Sequence, residues 1–467
     1  MASISASPQE DKSTKKEDLE FVHLEEQELT HCTPGNESLV YGIDEAHQKR
    51  VIRRVDLRLL PILGIMYSIS LIDRTNLGLA FVAGMEQDLG LDIGTRYTIV
   101  VMVFFVAYII FEIPSNLILP RAGAANWLAF LGFSFGAILI GMGFTKSWTT
   151  MVACRFLLGK RLAAFWLVSV ILNAFAAIFA YALTLLDGRH GLSGWRWIFI
   201  VEGAITSSIC LIGWFIIIDF PTQADTFLKP EEKEFIIARI NNDSGDAKED
   251  PITMERVVHH LKDWKLYVWA FNLMASTLPG YAYSYFKTVI LVGMGFSNTQ
   301  SQLLSAPPYI IAAIFTYLGG WLTDKYQIRG PVIAVHQLLT AVGMLITAYG
   351  GASGARYFGI FLGVGFLQFC IPGVLAFQAN NITSRSKRGV ASATCLIGGG
   401  LGGIIASVTF KSDESPHYTT GIWVTFGITM VSICLTLMMD IHFWKTNKKA
   451  RETNGQIEGM TGWYYTL

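Results

Sequence analysis

The feature that most constrains this chain is a series of apolar runs, each about 20 residues long, the length a helix needs to cross the hydrocarbon core of a bilayer. They fall near residues 57 to 80, 97 to 119, 125 to 144, 162 to 186 and 197 to 219. After a polar stretch they resume near 266 to 292, 303 to 322, 331 to 350, 353 to 375, 389 to 410 and 418 to 443. Inside a bilayer no water can satisfy backbone groups, so runs this long and apolar are expected to be helices. Hydrophobic residues make up 52% of the 467 and charged residues 15%, a balance that soluble domains of this size rarely show. An all-α membrane protein is the expectation.

The second set holds six full spans and the first only five. The sixth is expected at 147 to 159, SWTTMVACRFLLG, which supplies about half the needed length before Lys160 and Arg161 interrupt it. Charge distribution tests that reading, because short cytoplasmic loops retain Lys and Arg. QKRVIRRVDLR, the KR of 160 to 161, DKYQIRG, SRSKRG and KTNKKAR fall on one side only if 147 to 159 also crosses. The opposite loops, EQDLGLDIG, GFSNTQSQ, GGASGA and KSDESPHY, are nearly free of such residues. The expected organisation is a disordered cytosolic tail over 1 to 48 and an N-terminal transmembrane half over 49 to 219, its fourth span truncated at 147 to 161. A cytosolic linker over 220 to 264, a C-terminal six-helix half over 265 to 444 and a cytosolic tail over 445 to 467 follow. In the linker, LKPEEKEFIIARI and ITMERVVHHLKDWK predict two short amphipathic helices, the first opened by a proline.

Several function classes drop out. The 6 cysteines lie mostly in apolar segments without metal-ligand spacing. Net charge is formally zero, and no cationic field interleaved with aromatics suggests nucleic acid. No nucleophile and base pair stands out, so neither an enzyme nor a cofactor is expected.

Ionisable groups inside spans are costly, which makes each a functional candidate. In SLIDRTNLGLAF, Asp73 and Arg74 sit past the middle of the first span, where an adjacent acid and base can hold a proton and an anion or form a structural ion pair. Asn76 in the same stretch is a candidate substrate contact. Glu112 and Glu202 are single carboxylates in apolar surroundings, candidates for proton coupling or for packing and gating. Arg155 has no local acid and needs a distant partner or an anionic ligand. Lys287, near the outer end of its span, either contacts substrate or snorkels to water. In GGWLTDKYQIRG, Gly320 is expected to permit close helix approach, and Asp324 with Lys325 to form a conformational latch against a neighbouring helix terminus. The glycines from Gly398 to Gly403 are expected to serve packing.

DRTNLGLAFVAGMEQDLGL, FEIPSNLIL, GWRWIFIVEG, LLSAPPY, GGWLTDKYQIRGP and QANNITSRSKRGVASA together resemble the anion:cation symporter branch of the major facilitator superfamily. The fungal allantoate permease-like transporters are the nearest likeness, over residues 45 to 450. The resemblance implies two six-helix halves and a multi-pass plasma-membrane protein with both termini cytosolic. It also implies a monomer that moves a small organic anion with protons. On the matching positions, Asp73 would carry the proton, and Arg74 and Arg155 the substrate carboxylate. Such transporters place a Glu seven residues after this arginine, where this chain has Leu162. GKRLAAF resembles the loop and start of the fifth span, so about 25 to 30 residues are missing between them. In the seventh span FKTVIL departs from the usual F-L-P-T-I-I, and Leu401 replaces a frequent Asn. Export of a small metabolite and a non-transporting remnant remain as alternatives.

Overall fold

The computed structural model describes residues 45–158, 179–217, 227–243, 254–410, 414, 418–453, 455–460 and 462–467. For some helical residues among them, Asp73, Arg74 and Glu112 included, it describes the backbone alone. Helix α1, Glu45–Ala80, begins twelve positions ahead of the apolar run predicted at 57. At its far end, Gly84 with φ 108° breaks a widened turn, and Gly90 with φ 58° closes the short α2, Glu86–Leu89. Only glycine adopts these angles without strain. Four helices follow: α3 (Arg96–Ala122), α4 (Ala124–Gly143), α5 (Trp148–Leu158) and α6 (Gly194–Ile216). The two linker helices are α7 (Pro230–Asp243) and α8 (Met254–His260). The second set is α9 (Trp264–Gly293), a single short α10 (Asn298–Leu304), α11 (Pro307–Tyr326), α12 (Arg329–Tyr349), α13 (Ser353–Asn380), α14 (Arg385–Thr409) and α15 (Thr419–Thr453).

The expected spans within the described residues fall on helices, save that 303 to 322 is broken between Leu304 and Pro307. The fifth span is described only at 179–186, helical to 184 and a turn beyond. The expected junction at Lys160 and Arg161, and Leu162 with it, lies outside the described residues.

Small residues let the helices approach, since apolar side chains gain little by leaving lipid for one another. A Cβ on Gly203 of α6 would stand 2.6 Å from the carbonyl oxygen of Gly136 on α4, and the reverse distance is also 2.6 Å. Gly343 of α12 meets Gly359 and Gly363 of α13 as closely. Among the described residues, glycines bring the two sets together at two helix pairs. A Cβ on Gly78 of α1 would lie 2.7 Å from the carbonyl oxygen of Tyr285 on α9. Phe105 and Ile109 of α3 press on Gly403 and Gly400 of α14, so the glycines of that run serve packing as expected.

Contacts also register the ends. The Arg58 Nε donates to the carbonyl oxygen of Ile216, 3.0 Å, and Trp264 lies edge-on to His442 with ring centroids 5.4 Å apart. The starts of α1, α9, α12 and α14 thus share one end with the finishes of α6, α11, α13 and α15. This end carries the Lys/Arg-rich loops and is called the basic end below.

The stretch from 445, expected as a cytosolic tail, is structured where it is described. Helix α15 runs on to Thr453, and residues 455–467 fold back across the basic end as a strap. Asn447 and Tyr465 exchange backbone and side-chain hydrogen bonds of 2.8 and 2.9 Å, and Asn381 and Thr466 do the same at 2.8 and 3.1 Å. The Tyr465 ring stacks on Phe443 at 4.2 Å, and the backbone N–H of Arg329 donates to the carbonyl of Leu467. Glu458 lies 2.5 Å from the Lys265 ammonium and 2.7 Å from that of Lys387, which also reaches Asp263 at 2.8 Å. Burial alone would raise the Glu458 carboxyl, but the two lysines outweigh it and hold the group down to about 2.

Candidate functional site

The first candidate centre joins α1, α6, α5 and α3. Asn76 is fully buried and its Nδ2 donates to Glu202 Oε2 on α6, where the carboxylate is 4% exposed. A residue expected to touch substrate and one expected to handle protons therefore meet directly, across 126 positions of sequence. Arg155 on α5 is 2% exposed, and its guanidinium is close enough to Tyr97 of α3 to act electrostatically on that hydroxyl. Helical periodicity cannot show Tyr97 as a partner, since it reads as one more apolar position in its span.

Aromatic rings close the seam between the two sets on the side away from the basic end. Phe81 and Tyr97 lie 4.3 Å apart, Tyr97 and Phe286 6.0 Å, Phe105 and Tyr281 4.5 Å, and Phe286 stacks on Phe410 at 5.4 Å. The GWRW motif fixes this end. Asp88, within α2, accepts from the Trp195 indole at 2.8 Å and the Ser193 hydroxyl at 2.5 Å, and Arg196 donates to the Thr145 carbonyl at 2.6 Å. Asp73 and Arg74 lie on the helical stretch of α1 just before Asn76, and Glu112 lies on α3. Their side chains are outside the described residues.

Lys287 does not snorkel. It is 5% exposed, donates to the carbonyl of Ser305 at 2.9 Å and stands 4.3 Å from the centre of the Tyr309 ring. The turn between α10 and α11 folds over it, offering a free carbonyl nearer than water. Among the described residues no carboxylate is within ion-pair distance of it, so the site holds a cation by one carbonyl and a π face.

At the basic end, Asp324 binds the Arg329 guanidinium at 2.5 Å, tying the finish of α11 to the first residue of α12. Lys325 stands over the Trp321 ring at 4.7 Å. Gly320 is not the close-approach glycine: a Cβ there would meet nothing within 4 Å, whereas one on Gly319 would stand 2.7 Å from the Phe369 ring. The helix is turned one residue from the expected register. Gly320 instead lines a cleft of about 760 Å³ with Trp321, Asp324, Lys325, Arg329 and Phe369. Asp440 is a buried acid that sequence reasoning passed over. It is 8% exposed, and its carboxylate fills the space a Gly330 side chain would need. The rule that singled out Glu202, an acid inside an apolar run, also finds it in MMDIHFW.

Two sets of apolar helices, packed through glycines and holding buried charged and polar groups, define a multi-span helical membrane protein. The family profile of the Major Facilitator Superfamily matches residues 158–407, and the chain belongs to that superfamily. It is 30% identical over 447 residues to the MFS transporter prlL from Fungal sp. (strain NRRL 50135), an alignment covering 88% of this chain and 90% of that protein. It is 26% identical to the high-affinity nicotinic acid transporter of Saccharomyces cerevisiae, covering 86% and 79% respectively. Among solved structures it resembles a D-xylose–proton symporter, TM-score 0.60 at 15% identity, covering 80% of this chain and 96% of that one. A bacterial homologue of the human lysosomal transporter Spinster, inward-facing and occupied, gives 0.59 at 13%, covering 83% and 97%. These likenesses establish a transporter fold, not an enzyme.

Proposed function

We propose that this protein is a secondary carrier of a small organic anion, a carboxylated vitamin-like or nitrogenous solute. It moves the anion across the plasma membrane together with protons, as in the allantoate permease-like branch. The observation that carries the reading is Arg155, a cation 2% exposed within an apolar bundle. A buried guanidinium in a transporter is costly to keep and fits a carboxylate bidentately. A relative named for nicotinic acid, itself a carboxylated vitamin, favours the same substrate class.

In this reading Arg74, Arg155, Asn76 and Lys287 contact the solute, and Asp73, Glu112 and Glu202 pass the proton. Residues 49–219 rock against 265–444 about a midplane site, with Gly320, Asp324 and Lys325 at the latch. Both termini face the cytosol and the monomer is the working unit. Carrying a proton with an anion lowers the charge moved, which costs about 2.3 kcal/mol per charge per 100 mV. The test is uptake of labelled nicotinate and related monocarboxylates by cells expressing the full chain. Uptake is expected to rise at acid pH and to be lost in Arg155→Gln and Asp73→Asn. Full uptake by Asp73→Asn would sink the proton assignment.

A second reading, a non-transporting remnant, is favoured by the aligned lengths. Coverage of 88% of 467 residues is about 411, against 447 aligned with prlL; 86% is about 402, against 429 aligned with the nicotinic acid transporter. About 36 and 27 aligned positions thus lack a counterpart somewhere in this chain, roughly the length of one helix and a loop. Sequencing transcripts across Gly159 and Lys160 separates the readings. An inserted helix with a Glu seven residues after Arg155 supports the carrier, and transcripts encoding RFLLGKRLAAF as written support the remnant. Export of a metabolite would appear as efflux from preloaded cells.

A further inference from the structure

We propose that the exposed cationic faces of α1 and α15 at the basic end seat the headgroups of anionic phospholipids. On α1, Val51 is 1% exposed and packs with Val55 against Leu228 and Ile236 beside α7. Helical spacing sends Arg50 and Arg53 to the opposite side, and both are exposed. Their neighbours on the helix are already engaged, Arg54 with Glu232 at 3.6 Å and Arg58 over the Phe227 ring at 4.8 Å.

On α15, Met439, Phe443, Asn447 and Ala450 face inward, while Met438, Ile441 and Trp444 are each more than half exposed, the stripe that acyl chains cover. Lys445, Lys448 and Lys449 continue that outer face and are exposed. At 1.5 Å per residue they stand roughly 6 to 12 Å beyond Ile441 along the axis, the depth at which headgroups follow the hydrocarbon. Trp444 stands at the boundary, where amphipathic rings collect, and the Lys448 ammonium lies 5.7 Å from its centre.

Unlike Lys265, Lys387 and Arg329 at the same end, these cations have no carboxylate partner among the described residues. Lys265 and Lys387 share Asp263 and Glu458, and Arg329 holds Asp324. Among the described residues, no carboxylate lies within ion-pair distance of Arg50, Arg53, Lys445, Lys448 or Lys449. Because the cationic face of α15 is continuous with a lipid-covered stripe, the occupant that fits is a phospholipid of the surrounding leaflet rather than a soluble polyanion. The inference does not depend on which solute is carried.

The test is native mass spectrometry of the full chain in detergent, with dioleoyl phosphatidylserine and dioleoyl phosphatidylcholine added in equal amounts. The wild type is expected to retain the serine lipid over the choline lipid by roughly tenfold or more. K445Q/K448Q/K449Q and R50Q/R53Q are each expected to lower that preference about fivefold or more, and together to abolish it. Lysine-to-arginine changes at 445, 448 and 449 are expected to keep it, as is R189Q at the opposite end. Millimolar inorganic phosphate is expected to leave the bound lipid in place. The proposal is overturned by equal retention of both lipids, by a preference that survives the combined glutamine variant, by an equal loss in R189Q, or by displacement with phosphate.

Discussion

Gly203→Ala tests the packing that holds Glu202 in position. The added Cβ would stand 2.6 Å from the Gly136 carbonyl oxygen and 2.7 Å from the Ile140 amide nitrogen, both backbone atoms of α4 that no rotamer change can move. Ordinary contact begins at 3.4 Å, so the helices must part by about 0.8 Å (3.4 less 2.6). A gap of that size forfeits between a quarter and a half of each dispersion contact along the crossing, and overpacked sites cost about 1–3 kcal/mol. With obstacles on the backbone we expect the upper part of that range, a fall in melting temperature of roughly 3 °C for the purified chain in detergent. Gly136→Ala meets Gly203 across the same crossing, and its own Cβ would stand 2.6 Å from the Gly203 carbonyl oxygen. Once one substitution has parted the helices the second costs less, so the double variant should be more stable than the sum of the singles predicts, by about 1 kcal/mol. An unchanged melting temperature in Gly203→Ala, or strict additivity in the double variant, would refute the reasoning.

The strap should respond to acid. The Glu458 carboxyl is depressed in the folded protein from 4.5 to about 2, so the stability it lends is present above pH 4.5 and lost as pH falls toward 2. Hydrogen exchange of residues 455–467, corrected for intrinsic rates, should rise over that interval, and Glu458→Gln should raise it at pH 7 by roughly tenfold once solvent screening is allowed for; a flat profile in the wild type contradicts this. Lys287→Met removes a buried cation with one hydrogen bond and no carboxylate partner among the described residues. Melting temperature should hold or rise, because an apolar side chain avoids the cost of desolvating a charge, while uptake of the carboxylate falls. A drop of several degrees would make Lys287 a strut.

How much of this was legible in the sequence depends on the physics behind each feature. Spans are read from transfer free energy, which accumulates along the chain, and the expected runs at 331 to 350 and 353 to 375 return as Arg329–Tyr349 and Ser353–Asn380. Pairing is different in kind. Nothing local to Asn76 points to Glu202, because their meeting depends on how α1 and α6 are rotated about their axes. The same dependence turned Gly319 rather than Gly320 onto Phe369. Of the two readings of Lys287, snorkelling fails because distance from the span's end says nothing of the α10–α11 turn that covers it. The strap was hidden by composition, since GQIEGMTG reads as solvated; WYY at 463 to 465 was the available signal, as three adjacent aromatics rarely lie free in water.

That strap also bears on the order in which the molecule is built. Residues 455–467 follow every helix they join, so α9, α12, α14 and α15 leave the ribosome and insert before the stretch that ties them exists. Until Glu458 arrives, Lys265 and Lys387 share only Asp263. Until Leu467 arrives, the first amide of α12 lacks the carbonyl it later donates to. The strap's own ties between these helices at the basic end are therefore added after the helices themselves. A chain stalled or truncated after Thr453 would leave two lysines to share one carboxylate at the basic end, a net positive surface by which unfinished copies differ from finished ones.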